Sequence, residues 1–359
     1  MENNSKSKRN LSRRKFLGST ATIAAFSMLP IKLFGKSTPV AKVQIGTTPN
    51  SNFGGVQIGA ITYSWRDLPG GVENVIKYCN EAGISSIELM SNDVEEFLGA
   101  PKNPMMGMFA PPPPPPPAAP GTPVAAPPSG PPPRRELTQE QKDALAKFNQ
   151  DMKAWRLSLP ISKFEEVRKM FDKAGIKIPI VKFSPARWSD EEIDYAYKAA
   201  KALGAKGITE EIGEEAVKKL GPIAEKHGMY AIFHNHMQFA TPGFSYDPFL
   251  AVSPAVMMNF DAGHFFGSTG LHPNTIIEKY HDRIFSVHLK DKTGPKTEPV
   301  NTNQVWGQGE TPVADILLLI QKNKWPINCD IELEYDIKPW SNSVKETKTC
   351  VKYARQILI

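Results

Sequence analysis

Three short stretches of this 359-residue chain collect residue types that bind divalent metals: Asp261-Ala-Gly-His264, His288-Leu-Lys-Asp291 and Ile331-Glu-Leu-Glu334. Each lies at the end of an apolar run that reads as a β-strand. Hard oxygen donors mixed with imidazoles suit a divalent ion, and polar groups repeated at strand ends are how a barrel builds a catalytic face. Asp261 is the strongest ligand candidate, because a charge directly after Val256-Met-Met-Asn-Phe260 would otherwise sit expensively beside an apolar strand. His288 offers a ligating nitrogen and Lys290 a positive charge for an oxyanion. Asp291 is placed to hold a neighbouring imidazole in one tautomer. His264 falls in the loop after its strand, where it can orient a ligand or bind substrate. Glu332 and Glu334 share one side of an extended strand, roughly 6–7 Å apart, so one can ligate while the other contacts substrate.

Two further strand ends carry similar groups. In Ile232-Phe-His234-Asn-His236 the period of two puts both imidazoles on one face, an arrangement suited to metal or substrate hydroxyls. In Thr209-Glu210-Glu211 the two carboxylates point to opposite faces, so one of them looks into the barrel mouth; Glu211 is favoured for that place. Glu88, in Ile87-Glu-Leu89, is expected to join the polar rim.

Strand-like segments that alternate with helical ones must position these groups. Strands are read at 56–63, 85–89, 177–183, 207–211, 230–234, 256–260, 284–288 and 329–334. Helical pattern covers 71–82, 137–155, 161–174, 190–203, 214–227, 273–280, 312–323 and 343–358, with Ala174-Gly175 as a stop signal and Ser189 as a cap. Eight strands with crossover helices match a closed (β/α)₈ barrel better than an open doubly wound sheet, since polar groups fall at many strand ends and no Gly-rich nucleotide loop is present. The alternation breaks over 100–135, which includes seven consecutive prolines at Pro111–Pro117. Such a segment cannot form helix or sheet interior. It reads as an insertion after strand two on the catalytic side of a barrel domain spanning 41–359, and serves as a substrate rim, a partner site or an inert insertion.

The first 40 residues form a separate leader. Ser12-Arg-Arg-Lys-Phe-Leu17 followed by a weakly apolar run to about Phe34 reads as a twin-arginine export signal, which implies a periplasmic location. The run is interrupted by Gly18, Ser19, Thr20, Thr22, Ser27 and Pro30, so no stable membrane span is expected after export. The net charge of +6 is concentrated there: residues 1–40 hold eight Lys or Arg and one Glu, leaving the remainder at about −1. A domain so close to neutral has no electrostatic case for nucleic acid as its partner. Cys79, Cys329 and Cys350 are too scattered for a disulfide framework or a cysteine metal site. A homo-oligomer is compatible with the chain but not specified by it.

From about residue 54 onward the chain resembles the xylose isomerase-like TIM-barrel superfamily, and within it the sugar phosphate isomerase/epimerase branch. Asp261 falls at the family's Asp-x-x-His step, His288 at its His-x-Lys-Asp step and Glu332 at its last-strand Glu. The resemblance implies one divalent ion (Mn²⁺, Mg²⁺, Co²⁺ or Zn²⁺) bound by a Glu, an Asp, a His and a second Glu. Many members carry the first Glu at the end of strand five, where this chain has His234. Members that resemble inosose dehydratases keep a His-rich strand five and take the Glu from strand four, which points to Glu210 or Glu211. The implied ligand set is therefore Glu211, Asp261, His288 and Glu332. Glu211, Glu332, His236 and Lys290 are the implied catalytic groups, while Glu88, His234, His264, Asp291, Glu334 and Glu210 contact substrate or support the ligands.

The activity so implied is a metal-dependent isomerisation or epimerisation of a ketose or related sugar, begun by proton abstraction next to a carbonyl. The alternative is a lyase that expels a β-substituent from a 3-keto-glycoside, or a sugar dehydratase. Either takes a small-molecule sugar or keto-glycoside. Metal-dependent nucleases of the same superfamily bind a phosphate backbone, which the near-neutral domain does not favour. A proline-mediated binding protein without catalysis is the remaining class.

Overall fold

The computed structural model describes residues 48–105 and 137–359. The leader at 1–40 and nearly all of the proline-rich segment lie outside the described residues. Eight parallel strands close on one another: β1 (Val56–Ile61), β2 (Ser86–Met90), β3 (Lys177–Lys182), β4 (Gly207–Glu211), β5 (Tyr230–His234), β6 (Val256–Asp261), β7 (Ile284–Leu289) and β8 (Asn328–Ile331). Each pairs with its sequence neighbours, and β8 pairs with β1 to complete a (β/α)₈ barrel.

The strands form where β-branched and other apolar residues fill a buried surface, and they end where polar residues take over. Val56, Ile58, Val256, Met258 and Val287 are all essentially inaccessible. The helices between strands show matching local signals. The helix Ser162–Ala174 stops at Gly175, whose φ of 74° is a left-handed conformation that glycine adopts without strain. The helix Asp190–Ala202 begins with a capping box between Ser189 and Glu192. Among the described residues no helix is long and apolar enough to cross a membrane.

The structure departs from the sequence reading at three strand ends. Residues 62–65 leave β1 as a 3₁₀ turn. β8 stops at Ile331, so Glu332 and Glu334 sit in the loop beyond it. After β6 the chain enters a helix at once, Ala262–Thr269, capped by the Asp261 side chain accepting from the His264 backbone N–H at 2.7 Å. His264 is thus in a first helical turn rather than a loop; its apolar neighbours Phe265 and Phe266 gave no hydrophilic helix face to recognise. A helix at Ser91–Phe97 also separates β2 from the proline-rich stretch.

Strand register sets the depth of each inward side chain. Asp261 pairs with His288, and His288 with Asp330, across β6, β7 and β8. Glu211 pairs with His234, and His234 with Asn259, across β4, β5 and β6. Asp330 in turn pairs with Gly59 of β1, where a Cβ would stand 1.9 Å from the Asp330 carboxylate. Only glycine leaves room for that carboxylate.

Candidate active site

Asp261 does two things at once. Its Oδ1 caps the helix that follows, which fixes the carboxylate plane and turns Oδ2 toward the barrel axis. There Oδ2 faces Nε2 of His234 at 3.3 Å and Nζ of Lys290 at 2.9 Å. Neither Oδ2 nor His234 Nε2 has a hydrogen-bond partner of acceptable geometry, although both are buried. Buried polar atoms left unmatched are expensive and point to a missing ligand.

Around those two atoms His234, Asp261, His288 and Glu332 each present one donor, all within 4.8 Å of one another, and all four residues are buried. The two histidines are oriented in the same manner. His288 turns Nδ1 to Glu332 Oε2 at 2.8 Å and Nε2 to Glu88 Oε2 at 2.7 Å. His234 turns Nε2 to Asp261 and Nδ1 to Glu211 Oε2 at 3.3 Å. Each imidazole therefore has one nitrogen in the group and the other against a carboxylate, the arrangement that fixes tautomer and ring orientation in metal sites. Two oxygens and two imidazoles fit a divalent ion of the first transition row.

Electrostatics agree with a cluster built to carry added positive charge. Burial alone would raise the Asp261 and Glu332 carboxyls, yet the charges of Lys290 and the surrounding histidines hold both well below the usual range. Burial alone would discharge His288, but Glu332 and Glu88 hold it protonated well above its ordinary value. Burial likewise opposes a charge on His234, and Asp261 with Glu211 reverse this. A dication carries the charge of the two imidazolium protons it would replace, so binding leaves the local balance unchanged.

Lys290 completes the mouth. Its buried Nζ lies 2.8 Å from Glu332 Oε2 and 2.7 Å from Glu334 Oε2, with His264 Nε2 at 3.1 Å. Burial pushes His264 down to about 4, so its ring is neutral near neutral pH. Glu211 meets the half-exposed His236, with Oε2 2.9 Å from Nε2. Burial would raise its carboxyl, and hydrogen bonds from His234 and His236 together with Lys182 drive it far down instead.

The structure thus brings together most of the residues singled out in the sequence, with altered places for some. His234 stands in the group of four where Glu211 was expected, and Glu211 lies one imidazole ring further out. Glu210 faces away and braces a loop: it accepts from the backbone N–H of Ala186 and of Glu211, both at 2.8 Å. Glu88 is fully buried beneath the mouth rather than on its rim. Asp291 holds no imidazole. It accepts from the backbone N–H of Gly307, Gly309 and Thr311 and so braces the loop after β7. Close approach of Gly309 requires the absence of a side chain, since a Cβ there would stand 2.2 Å from Asp291 Oδ1.

Three interior residues escaped the sequence reading. Lys182 ends β3 with Nζ 2.6 Å from Glu211 Oε1. Asn259 donates to Glu88 Oε2 at 2.9 Å. Asp330 lies beneath His288 with both oxygens unpartnered. The signal was a charge closing the apolar run of β3, and the period of two that links Asp330 to Glu332.

Known proteins share this architecture. The family model of the xylose isomerase-like TIM barrel matches residues 142–354. An inosose dehydratase of Clostridium beijerinckii is 33% identical over 94 residues, which is 25% of this chain and 31% of that protein. The chain therefore matches about a third of that relative's length. The probable 3-DHS dehydratase AsbF of Bacillus anthracis superposes with a TM-score of 0.53 at 13% identity, covering 83% of this chain and 98% of the other. The IOLI protein with a bound zinc atom gives a TM-score of 0.50 at 13% identity, over 84% and 98% of the two chains. At such identities these two likenesses speak for the fold.

Proposed function

As the chain belongs to the xylose isomerase-like TIM barrel family, we propose that it is a divalent-metal-dependent carbon–oxygen lyase, which eliminates a β-substituent from a keto sugar, keto-glycoside or keto-polyol. His234 through Nε2, Asp261 through Oδ2, His288 through Nδ1 and Glu332 would hold the ion, and two imidazoles favour Zn²⁺ over Mg²⁺. When bound, such an ion withdraws charge from a substrate carbonyl and makes the adjacent C–H acidic. The zinc atom in the IOLI structure supports the same choice of metal.

The observation that carries the lyase reading is the imidazole of His234 inside the group of four. Isomerisation or epimerisation by the route expected from the sequence uses two ligand carboxylates to move a proton off one position and onto another. Here one of those places is an imidazole, whose Nε2 is assigned to the ion and whose Nδ1 faces Glu211, so it supplies no carboxylate to move a proton. Elimination needs one base only. His236, with Nε2 against Glu211, presents Nδ1 as that base at the mouth. It takes the proton next to the carbonyl; the C–H electron pair becomes the carbon–carbon double bond, and the β C–O bond breaks toward its oxygen. Lys290 steadies the departing oxygen by its fixed positive charge, and that oxygen acquires a proton from water. The names of the inosose dehydratase and the probable 3-DHS dehydratase, both eliminations of water, support the same direction. The twin-arginine pattern of Ser12-Arg-Arg-Lys-Phe-Leu17 supports export and a periplasmic site of action.

The test is incubation of the metal-loaded protein with a 3-keto-glycoside in deuterated water. Release of the leaving group with the absorbance of a conjugated enone is expected. Deuterium exchange with the sugar skeleton and glycosidic bond intact would overturn the lyase reading in favour of isomerase or epimerase action.

A further inference from the structure

We infer that a groove beside Glu211 is a second subsite, which takes an uncharged sugar ring joined to the reacting one. The inference rests on the lyase reading only in making that ring the leaving group. The groove has a volume of 860 Å³ and is walled by Ala186 and Arg187 from the loop after β3, and by Glu211, Ile212, Glu215 and Ala216 from the end of β4 and the start of the helix Glu214–His227. Glu211 is common to this groove and to the contacts with His234 and His236. A molecule lying in the groove therefore ends against Glu211, the carboxylate that contacts the proposed base.

The walls are built in advance. The Glu210 carboxylate ties the Ala186 backbone to β4 at 2.8 Å. From the other side Lys219 Nζ donates to the carbonyls of Ala186 and Trp188, at 3.2 and 2.7 Å. A loop tied to both a strand and a helix loses little freedom when a ligand arrives, so the groove is preorganised. Its size falls within the range of about 300–1,000 Å³ found for small-molecule sites.

The chemistry of the lining selects the ligand class. Glu210 and Lys219 are spent on backbone groups, and Glu214 is paired with Lys218. Among the described residues Arg187 and Glu215 enter no ion pair, which leaves one guanidinium and one carboxylate, with the Ser184 hydroxyl, beside the apolar surfaces of Ala186, Ile212 and Ala216. Hydroxyl groups both donate and accept, and a pyranose also offers apolar C–H faces, so a neutral polyol satisfies this lining. A phosphate or carboxylate ligand would instead meet the two charges of Glu211 and Glu215 against the one unpaired cation of Arg187.

Binding of two unreactive probes to the metal-loaded full chain tests the subsite: cellobiose, with two rings, and methyl β-glucoside, with one. Wild type is expected to bind cellobiose about tenfold more tightly. Ala216→Trp, which fills the groove, should remove that preference, with affinity for methyl β-glucoside and metal content unchanged. Arg187→Ala, at an exposed side chain, should weaken cellobiose alone by about threefold, and serves if the tryptophan variant does not fold. Equal affinity for the two sugars in wild type, failure of cellobiose to bind, or a preference that survives in both variants would overturn the subsite, even in an enzyme shown to eliminate. A two-ring preference in a protein that releases no leaving group would sink the lyase reading and leave the subsite standing.

Discussion

Glu88 holds Nε2 of His288 at 2.7 Å, on the edge of the ring opposite Glu332. It is itself fixed by Thr209 Oγ1 at 2.7 Å and Asn259 Nδ2 at 2.9 Å, so the imidazole is anchored through three strands. A carboxylate in this position raises the basicity of the facing nitrogen and sets its direction. Glu88→Gln keeps the volume and removes the charge. The variant should bind Zn²⁺ about 10–100-fold more weakly than wild type, read by competition with a chromophoric chelator, with its circular dichroism unaltered.

His234 and Glu211 are separated by the same kind of experiment. If the ligand nitrogen is His234 Nε2, His234→Ala should lose stoichiometric metal at micromolar concentrations. Glu211→Gln, which alters only the far side of that ring, should retain it with affinity reduced about tenfold. The reverse order, with metal lost from Glu211→Gln and kept by His234→Ala, would restore Glu211 to the ligand set expected from the sequence.

Asp330 gives a pH dependence of known sign. Burial, with the Glu88 charge adding to it, raises its carboxyl from 3.8 to about 7. The folded state thus keeps a proton that the unfolded chain releases above 3.8. Stability from this group is fully present below that pH and declines as pH rises toward 7, by roughly 4 kcal/mol in all. Asp330→Asn does not titrate. In chelator-treated protein its stability relative to wild type should rise by about that amount between pH 3.5 and 8, measured by urea unfolding at each pH. A difference that stays constant with pH would show that Asp330 is not held protonated.

Arg156 anchors the helix Gln139–Ser158, which returns the chain to the barrel from the proline-rich segment. Its guanidinium meets Glu95 at 2.9 Å and Glu192 at 3.1 Å, and lies 3.5 Å over the Trp188 ring, with only 11% of the side chain exposed. Removing one member of a buried ionic group leaves the others uncompensated. Arg156→Ala should cost about 3 kcal/mol of stability, whereas Lys147→Ala, in an exposed pair on the same helix, should cost under about 0.5 kcal/mol. Thermal unfolding of the two variants side by side checks the contrast.

What the sequence determined by itself is what local pattern controls. The period of two in apolar runs, the cap at Ser189 and the stop at Gly175 fix where strands and helices lie, and their alternation dictates a barrel. A polar residue after an apolar run marks the catalytic end, so Asp261, His288 and Glu332 are legible in the order of residues alone. The tertiary structure decided which side chains meet. His234 rather than Glu211 enters the group of four because its ring lies between Asp261 and Glu211, with Nε2 toward the first and Nδ1 toward the second, a placement across three strands that no single strand encodes. Asp291 spends its lone pairs on backbone from a loop some twenty residues onward, and Glu88 turns out to lie beneath His288 rather than on the rim, for the same reason. Distances between residues far apart in sequence arise only when the barrel closes.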